Sequence, residues 1–336
     1  MRILYIVGYL LLYLIPIKDT YAYLGDTLAT EKHIHVHTSS LHFNADSTYY
    51  FIQQQVNLGP RVPNTTAHKT CKKYLKQQLK EYADKVYVQK FQATAFNRVK
   101  LELYNIIASF NEACTHRILL AAHWDTRPFA DKDTISKQKP ILGANDGASG
   151  VGILLELARN IKQMSFKNVG IDIILFDGED YGPPQGYQKE LTNRAIFWCL
   201  GSQFWSQHPH KANYTAHYGI LLDMVGSKKA TFYKEAWSVY YANKYVNSMW
   251  NTAQALGYGH YFRNQASHNY ILDDHYFVNK YTSIPMINII DHQPTSKGCF
   301  PAYHHTHADN LNLIDKETLQ AVGETVLQVI YAADSA

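Results

Sequence analysis

The sequence predicts an α/β fold: a single domain with an open, mostly parallel, twisted sheet and helices on both of its faces. From residue 117 onward, short apolar segments alternate with longer segments whose apolar residues recur every three or four positions. This is the pattern of strand–helix–strand units. The segment 169–176 is largely apolar, as a strand covered on both faces is. No internal repeat or long linker is evident, so we expect one domain.

Capping residues and helix breakers set the predicted element boundaries. Asp46 or Ser47 caps the first helix and Asp315 caps the last, while two prolines and a glycine make 58–64 a loop. The first predicted helix starts at residue 46 or 47. The other predicted helices cover 68–82, 149–163, 236–256 and 315–333. The predicted strands cover 85–91, 99–107, 117–122, 169–176, 217–222 and 283–290.

Composition excludes two classes of protein. With 46% hydrophobic and 18% charged residues among 336, the chain has enough apolar surface to fold, so it is not a disordered protein. Its net charge is +4 and its basic residues are scattered, whereas a nucleic-acid-binding surface concentrates them. We therefore expect a globular protein that binds no nucleic acid.

The N-terminal segment has the pattern of a secretory signal. Arg2 precedes an apolar run over residues 3–17, and small and polar residues follow up to Ala22. The run is shorter than the roughly 20 residues that cross a bilayer, so we expect no stable membrane insertion. The sequence thus predicts a signal peptide at 1–22, an extended lead-in at 23–45 and the folded domain at 46–336. The mature protein would be exported, either to the periplasm or as a secreted protein.

The cysteines allow two interpretations. Cys71, Cys114, Cys199 and Cys299 have neither the spacing of a zinc knuckle nor the density of a disulfide-rich miniprotein. In an oxidising compartment they could form one or two bridges. They could equally be four small buried side chains.

Polar side chains that suit a metal follow each predicted strand of the sheet's second half. In open α/β sheets the ligand site lies beyond the carboxyl ends of the strands. A glycine-rich turn at 143–147 adds a further carboxylate before a helix. The groups presented in this way are His123, Asp125, Asp146, Asp177, Glu179, Asp180, Asp223, Asp291, His292, His304, His305 and His307.

Carboxylates gathered at one edge repel one another unless a cation compensates them. A mixed set of His and carboxylate ligands suits zinc best, so the sequence predicts a zinc site. The glycines at 143–150 lack the Lys-Ser/Thr of a phosphate-binding loop. They more simply permit tight turns and close packing of a helix on the sheet. No Gly-x-Ser-x-Gly elbow is present, which removes the commonest α/β serine hydrolase signature.

Five motifs occur in an order typical of one family: His123-Trp-Asp125, Gly143-Ala-Asn-Asp146-Gly-Ala-Ser-Gly-Val, Asp177-Gly-Glu179-Asp180, Leu222-Asp223-Met-Val-Gly and His305-Thr-His-Ala-Asp309-Asn310. On these motifs the chain resembles the zinc aminopeptidases of the M28 type. Within that clan it is most similar to the glutaminyl-peptide cyclotransferases, or glutaminyl cyclases, in their bacterial version of the animal-type fold. The added signals are the stretches 197–203 and 272–275 and the pair Phe300-Pro301. The resemblance extends from about Phe51 to the C-terminus.

The resemblance implies a metal site and a remnant of a second one. Asp146, Asp180 and His305 match the ligands of one zinc. His123 and Asp223 match positions that hold a second metal in the peptidases. Asp180 departs from the usual Glu by one methylene, so its loop must approach the metal more closely.

The resemblance also implies catalytic and substrate-binding groups. Glu179 is the general acid/base, with Asp223 and Asp273 in the hydrogen-bond network beside it. A His that is common in the animal enzymes is replaced by Asn288, which puts one contact of that network in question. The substrate-binding candidates are Trp198 with Trp124 and Trp205 as alternative walls, Gln203 and Phe300.

These roles predict a zinc-dependent acyltransferase that converts the N-terminal Gln of peptides or proteins to pyroglutamate and releases ammonia. The tethered α-amine attacks the side-chain carboxamide, so orientation supplies much of the acceleration. The alternative is a two-zinc aminopeptidase, in which Glu179 activates a water. A third hypothesis is a catalytically inactive adaptor on the same scaffold, but such a protein has no need of Glu179.

Overall fold

The computed structural model describes residues 42–164, 166–187, 193–295 and 299–335. The predicted signal peptide and almost all of the predicted lead-in lie outside these ranges. Among the described helices, none has both the length and the apolar character that a bilayer crossing requires.

The strands and helices fall close to the predicted ranges. Within the described residues the strands are β1 (Lys85–Thr94), β2 (Lys100–Phe110), β3 (Arg117–His123), β4 (Gly170–Phe176), β5 (Tyr218–Asp223), β6 (Phe232–Lys234), β7 (Phe262–Ala266) and β8 (Met286–Ile290). The helices are α1 (Ala45–Asn57), α2 (Thr66–Tyr82), α3 (Ala148–Met164), α4 (Leu200–Gln207), α5 (Ala236–Ala255), α6 (Asp274–Tyr281) and α7 (Lys316–Asp334).

The main sheet confirms the predicted α/β architecture. Its strand order is β1-β2-β4-β3-β5-β8. β1 pairs antiparallel with β2, and β2 with β4, whereas β4, β3, β5 and β8 run parallel. In the parallel half, His123 pairs with Phe176 and Asp223 pairs with Ile290. The last residues of these four strands therefore lie at one edge, and the loops that follow them meet there.

Side-chain alternation along the strands covers the sheet on both faces, as expected from the two-residue period of a strand. On one face, Ile118 and Leu120 of β3 join a core cluster with residues of α1, α2, α3, α5 and α7. On the other face, Leu119 and Ala121 join Trp205 of α4 and Val278 of α6. All seven residues of β3 and of β4 are buried, which explains their apolar sequences.

The structure differs from the sequence-based expectations in three places. The first helix is capped by Asn44, whose side chain accepts from the Ser47 amide, so the predicted caps Asp46 and Ser47 are wrong. Phe43 is already packed in the core, three residues before the predicted start of the domain. The short helices α4 and α6 and the two-stranded β6–β7 sheet were not predicted, because each is too short to show a period.

The cysteines are unpaired. Cys71 and Cys199 are buried, and Cys114 and Cys299 are half-buried. Of the two interpretations that the sequence allows, the structure therefore has single thiols and no bridge. Cys71 packs in the main core, whereas Cys199 lies close to a carboxylate described below.

Candidate active site

The loops at the carboxyl edge of the parallel strands enclose a cavity of about 350 Å³. It holds most of the residues that the sequence singled out, although they come from six separate stretches of the chain. Carboxylates and two imidazoles form its floor, and aromatic side chains form part of its wall. The predicted residues that line it are Asp146, Glu179, Asp180, Trp198, Asp223, Asp273, Phe300, His304 and His305.

Asp146, Asp180 and His305 converge at the floor of the cavity. The Nε2 atom of His305 is 3.1 Å from Oδ1 of Asp180 and 3.8 Å from Oδ2 of Asp146. Two ligands bound about 2.1 Å from a tetrahedral zinc are about 3.4 Å apart. Oδ2 of Asp146 and Oδ2 of Asp180 are buried and have no hydrogen-bond partner among the described residues. Buried polar atoms are normally satisfied, so these orphaned oxygens, together with the distances from the two carboxylates to His305, fit a bound divalent cation.

Two further buried carboxylates hold the main chain of this site. Asp309 accepts from the amides of Asn145 and Asp146, at 2.7 and 3.0 Å. Asp125 accepts from the amides of Glu179 and Asp180, at 3.0 and 3.2 Å. The sequence presented Asp125 among the groups that suit a metal, and it placed Asp309 in a motif without a role. Their oxygens fix the backbone that carries the ligands.

Glycines permit the close approaches that the turn before α3 requires. Gly147 has φ +94°, and a Cβ there would lie 2.9 Å from the Asp125 carbonyl oxygen. A Cβ on Gly150 would lie 2.3 Å from the Leu222 carbonyl oxygen. The prediction of tight turns and close helix–sheet packing around Asp146 is thus confirmed.

Arg127 is a site residue that sequence reasoning missed. Its guanidinium is buried and donates to the Asp180 carbonyl oxygen at 3.0 Å and to Oδ1 of Asp180 at 3.3 Å. It also donates to Asp131 at 2.6 Å. Asp131 Oδ1 in turn lies 3.8 Å from Nδ1 of His305. Arg127 therefore fixes one candidate ligand directly and a carboxylate beside another.

A second group of possible ligands shares Asp146. The Nε2 atom of His123 is 3.1 Å from Oδ1 of Asp146 and 3.3 Å from Oδ1 of Asp223. Their ligand atoms all lie within 4.8 Å of one another. Burial and the neighbouring Asp273 raise the pKa of Asp223 to about 7. These residues have the arrangement that the second-metal positions of the resemblance imply.

Glu179 lies beside the candidate metal site in a group with Cys199 and Asp273. The Cys199 thiol donates to Oε1 of Glu179 at 3.3 Å. The ligand atoms of these three residues lie within 4.8 Å of one another. Burial, together with Asp180 and Asp273, raises the pKa of Glu179 well above its ordinary value. A raised pKa of this kind suits a carboxyl group that must both accept and return a proton.

Asp273 is held from two sides. It caps α6, where its Oδ1 accepts from the Asp274 amide at 2.5 Å. Its Oδ2 accepts from the Asn288 amide nitrogen at 2.7 Å. The replacement of His by Asn at position 288 therefore keeps a donor to this carboxylate.

The three tryptophan candidates differ in whether they line the cavity. Trp198 lines the cavity and stacks on His305, with ring centroids 6.1 Å apart and an interplanar angle of 6°. Trp124 and Trp205 are core residues instead: Trp124 stacks on His68, and Trp205 packs against Phe176. Plain packing is therefore the role of both alternatives.

Gln203 was predicted to bind substrate, and the structure places its side chain elsewhere. It does not line the cavity. Its side-chain amide donates to the Trp198 carbonyl oxygen at 2.7 Å and to the Ile196 carbonyl oxygen at 3.3 Å. Gln203 lies in the first turn of α4, and its side chain reaches back to the segment that precedes the helix. It therefore supports the main chain of Trp198. Phe300 does line the cavity, with its ring 4.2 Å from that of His304.

His304 is a second imidazole at the cavity, and Lys132 determines its role. The Lys132 ammonium lies 2.6 Å from Nδ1 of His304. An ammonium group only donates, so Nδ1 is the acceptor and the ring hydrogen is on Nε2. That atom is 4.0 Å from Oδ2 of Asp146, but a nitrogen that carries hydrogen offers no lone pair to a metal. His305 is therefore the imidazole that fits the metal site.

The fold and this site together define an α/β enzyme with a candidate Asp/His metal centre. The chain belongs to peptidase family M28, whose sequence pattern matches residues 105–330.

Solved structures of relatives cover most of the chain. The structure of a Zn-dependent exopeptidase from Parabacteroides distasonis is 51% identical, with TM-score 0.84, and the match covers 87% of this chain and 99% of that one. The structure of Tannerella forsythia glutaminyl cyclase is 50% identical, with TM-score 0.83 and the same coverage. The glutaminyl-peptide cyclotransferase of Drosophila melanogaster is 25% identical over 287 residues, which are 77% of this chain and 73% of the relative.

Proposed function

We propose that this protein is a zinc-dependent glutaminyl-peptide cyclotransferase that acts on peptides or proteins with an N-terminal Gln. The observation that carries the proposal is the position of Glu179. Its carboxyl group lies in the same cavity as the Asp146, Asp180 and His305 cluster and within 4.8 Å of Asp273. The likeness to glutaminyl cyclases from Tannerella forsythia and Drosophila melanogaster supports the same activity.

Asp146, Asp180 and His305 would hold one zinc ion. When bound, zinc polarises a carbonyl oxygen and stabilises the negative charge that develops on it. Arg127, Asp125 and Asp309 keep the ligand-bearing backbone in position through the contacts described above, so little reorganisation is needed when the site is loaded.

Glu179 moves the proton. In the reaction, the α-amine nitrogen of Gln forms a bond to its own side-chain carbonyl carbon, and the bond from that carbon to the amide nitrogen breaks. Glu179 takes a proton from the attacking amine and returns it to the leaving nitrogen, which departs as ammonia. The raised pKa of Glu179 suits a group that must both accept and donate this proton.

Asp223 and Asp273 orient the two nitrogens. Both carboxylates line the cavity beside Glu179, and carboxylate oxygens accept hydrogen bonds from amine and amide N–H groups. Asp223 would accept from the α-amine and Asp273 from the carboxamide that is expelled. Trp198 and Phe300 would provide the apolar wall against which the Gln side chain packs. Alignment of the tethered groups supplies much of the rate acceleration.

The alternative is a two-zinc aminopeptidase. One observation favours it: His123, Asp146 and Asp223 form a second group with metal-ligand spacing. A relative with 51% identity is described as a Zn-dependent exopeptidase. In that reaction Glu179 would deprotonate an attacking water. No side-chain amide is expelled, so Asp273 would have no leaving group from which to accept a hydrogen bond. We favour cyclisation because Asp273 lines the cavity and is held there by the Asp274 amide and by Asn288.

We also propose that the protein is exported, to the periplasm or beyond, with a signal peptide at 1–22 and a catalytic domain from about residue 46. The charged start, the 3–17 apolar run and the small residue at Ala22 support this. N-terminal sequencing of the protein from the outer compartments of its own cell tests it. A chain that retains residues 1–22 and stays inside the cell would contradict it.

The test of function uses two small substrates. Purified protein is loaded with zinc, its metal content is measured, and it is incubated separately with Gln-Phe and with Leu-amide. Mass spectrometry of a cyclase shows loss of one ammonia from Gln-Phe and no change in Leu-amide, at about one zinc per chain. Cleavage of Leu-amide at two zinc ions per chain, without cyclisation of Gln-Phe, would assign the aminopeptidase instead.

A further inference from the structure

Five aromatic side chains form a contiguous surface beside the mouth of the cavity. They come from the start of α5, the loop before α6, and α6 itself. Two of them are largely accessible to solvent: Tyr240 is 71% exposed and Tyr270 is 62% exposed. We call it the aromatic surface, and it consists of Trp237, Tyr240, Tyr241, Tyr270 and Tyr276.

The aromatic surface is continuous with the cavity through Tyr270. This residue lines the cavity together with its neighbours Ile271 and Leu272. Its ring also packs edge-on against Trp237, with centroids 4.6 Å apart. The next step outward, from Trp237 to Tyr240, is 6.1 Å. An apolar path thus leads from the cavity wall to the outside of the protein.

One buried carboxylate joins the two parts of this surface. Oε1 of Glu235 accepts from the Trp237 amide at 2.9 Å and from the Ile271 amide at 3.0 Å. Its Oε2 is 3.0 Å from Nε2 of His275 in α6. The three elements that carry the aromatic rings are therefore tied to one side chain. The surface is held in place before any partner binds, which lowers the entropy cost of binding.

The proposed reaction leaves most of a polypeptide substrate outside the cavity. Only the first residue or two of a polypeptide enter a cavity of this size, and the rest of the chain leaves through its mouth. At roughly 3.3 Å per extended residue, the path from Tyr270 to Tyr240 spans about three residues. Tyr and Trp rings offer large contact areas with few rotamers to freeze, and they dominate peptide and protein interfaces.

We propose that the aromatic surface binds the polypeptide segment that follows the N-terminal Gln. The proposal rests on the proposed function and adds a substrate class to it: peptides or proteins with apolar or aromatic side chains shortly after their second residue. Short peptides that end inside the cavity do not reach this surface. Longer substrates gain affinity from it.

The experiment compares a short and a long substrate in variants of the surface. The variants are Trp237→Ala and the double variant Tyr240→Ser with Tyr241→Ser, and the control is Tyr50→Ser, an exposed tyrosine of α1 that does not line the cavity. The substrates are Gln-Phe and an eight-residue peptide with Gln-Phe at its start and aromatic residues at positions four to six. We expect kcat/KM for the long peptide to fall by about fivefold or more in both surface variants. Values for Gln-Phe, and all values for Tyr50→Ser, should match those of the wild-type protein.

Each other outcome overturns the proposal in an identifiable way. Equal losses on both substrates would mean that the rings only support the fold. Unchanged values on both would show that peptides do not bind there, and a change of oligomeric state in the variants, with unchanged kinetics, would assign the surface to a second copy of the chain. A wild-type protein that leaves Gln-Phe unaltered would refute the proposed function itself.

Discussion

Oδ1 of Asp180 lies 3.1 Å from Nε2 of His305, while Oδ2 of the same carboxylate is buried without a hydrogen-bond partner among the described residues. The Arg127 guanidinium holds Asp180 in place by donating to its carbonyl oxygen and to its Oδ1. This carboxylate is therefore oriented towards a position that its protein neighbours do not fill. A divalent cation shared with Asp146 would fill it.

The two adjacent imidazoles should differ in their effect on zinc. We expect His305→Gln and Asp180→Ala to weaken zinc binding by more than about a hundredfold, because each removes a ligand. His304→Gln is the matched control and should retain zinc, since Lys132 leaves Nε2 of His304 carrying hydrogen. Competition with a chromogenic chelator measures all three. Zinc retained by His305→Gln but lost from His304→Gln would exchange the roles of the two residues.

Asp309 should act on the metal through the backbone. Asp309→Asn replaces one acceptor with an amide donor that faces the Asn145 or Asp146 N–H. We expect zinc affinity to fall by about ten- to a hundredfold and the free energy of unfolding to fall by about 1–3 kcal/mol. Chelator competition and urea unfolding of the metal-free protein measure the two effects. Zinc affinity equal to that of the wild-type protein would show that Asp309 has only a structural role.

Asn288 should affect turnover but not metal. Asn288→Leu has a similar volume but removes the donor to Asp273 Oδ2. We expect kcat for Gln-Phe to fall by about tenfold or more, because the carboxylate loses its orientation, and zinc content to stay the same. Asn288→His, which restores the residue common in the animal enzymes, should keep more activity than the Leu variant. If both variants turn over like the wild type, Asn288 does not orient Asp273.

The buried Glu235 should make the fold sensitive to acid. Burial alone would raise its pKa, but His275 and the amides of Trp237 and Ile271 outweigh it and hold the pKa at about 2. A carboxyl group whose pKa is lowered on folding stabilises the fold above its unfolded pKa of about 4.5, and this stabilisation is lost as pH falls towards 2. The difference corresponds to roughly 3 kcal/mol at neutral pH.

Unfolding by urea between pH 7 and pH 3 tests this. Glu235→Gln should be less stable than wild type at pH 7, and the gap between the two should narrow as pH falls. The exposed Glu81→Gln is the control and should follow the wild-type curve. A gap between wild type and Glu235→Gln that stays constant with pH would mean that the charge of Glu235 does not stabilise the fold.

The sheet and the ligand cluster could be predicted because their signals are local. Buried parallel strands such as 170–176 are apolar apart from Asp172, and the polar residues that follow them, such as Glu179 and Asp180, must lie at the sheet edge. The glycine-rich turn around Asp146 likewise has a recognisable composition. The local hydrophobic pattern and the common direction of the parallel strands were sufficient to predict these features.

Other site residues could not be found in this way because their partners are distant in sequence. Arg127 and Lys132 resemble ordinary charged loop residues until the fold brings them to Asp180 and His304. Gln203 was predicted at the cavity because it stands in a family motif, but its position on α4 turns it towards the main chain. The aromatic surface joins α5 to the loop before α6, and no single segment of sequence shows it.

The central claim is that Glu179 moves the proton beside a zinc ion that it does not bind. Zinc content and ammonia release from Gln-Phe, measured on one preparation of Glu179→Gln, test this most directly. We predict about one zinc per chain, as in the wild-type protein, and a kcat lower by about a thousandfold. Loss of the zinc, or ammonia release at the wild-type rate, would contradict the account.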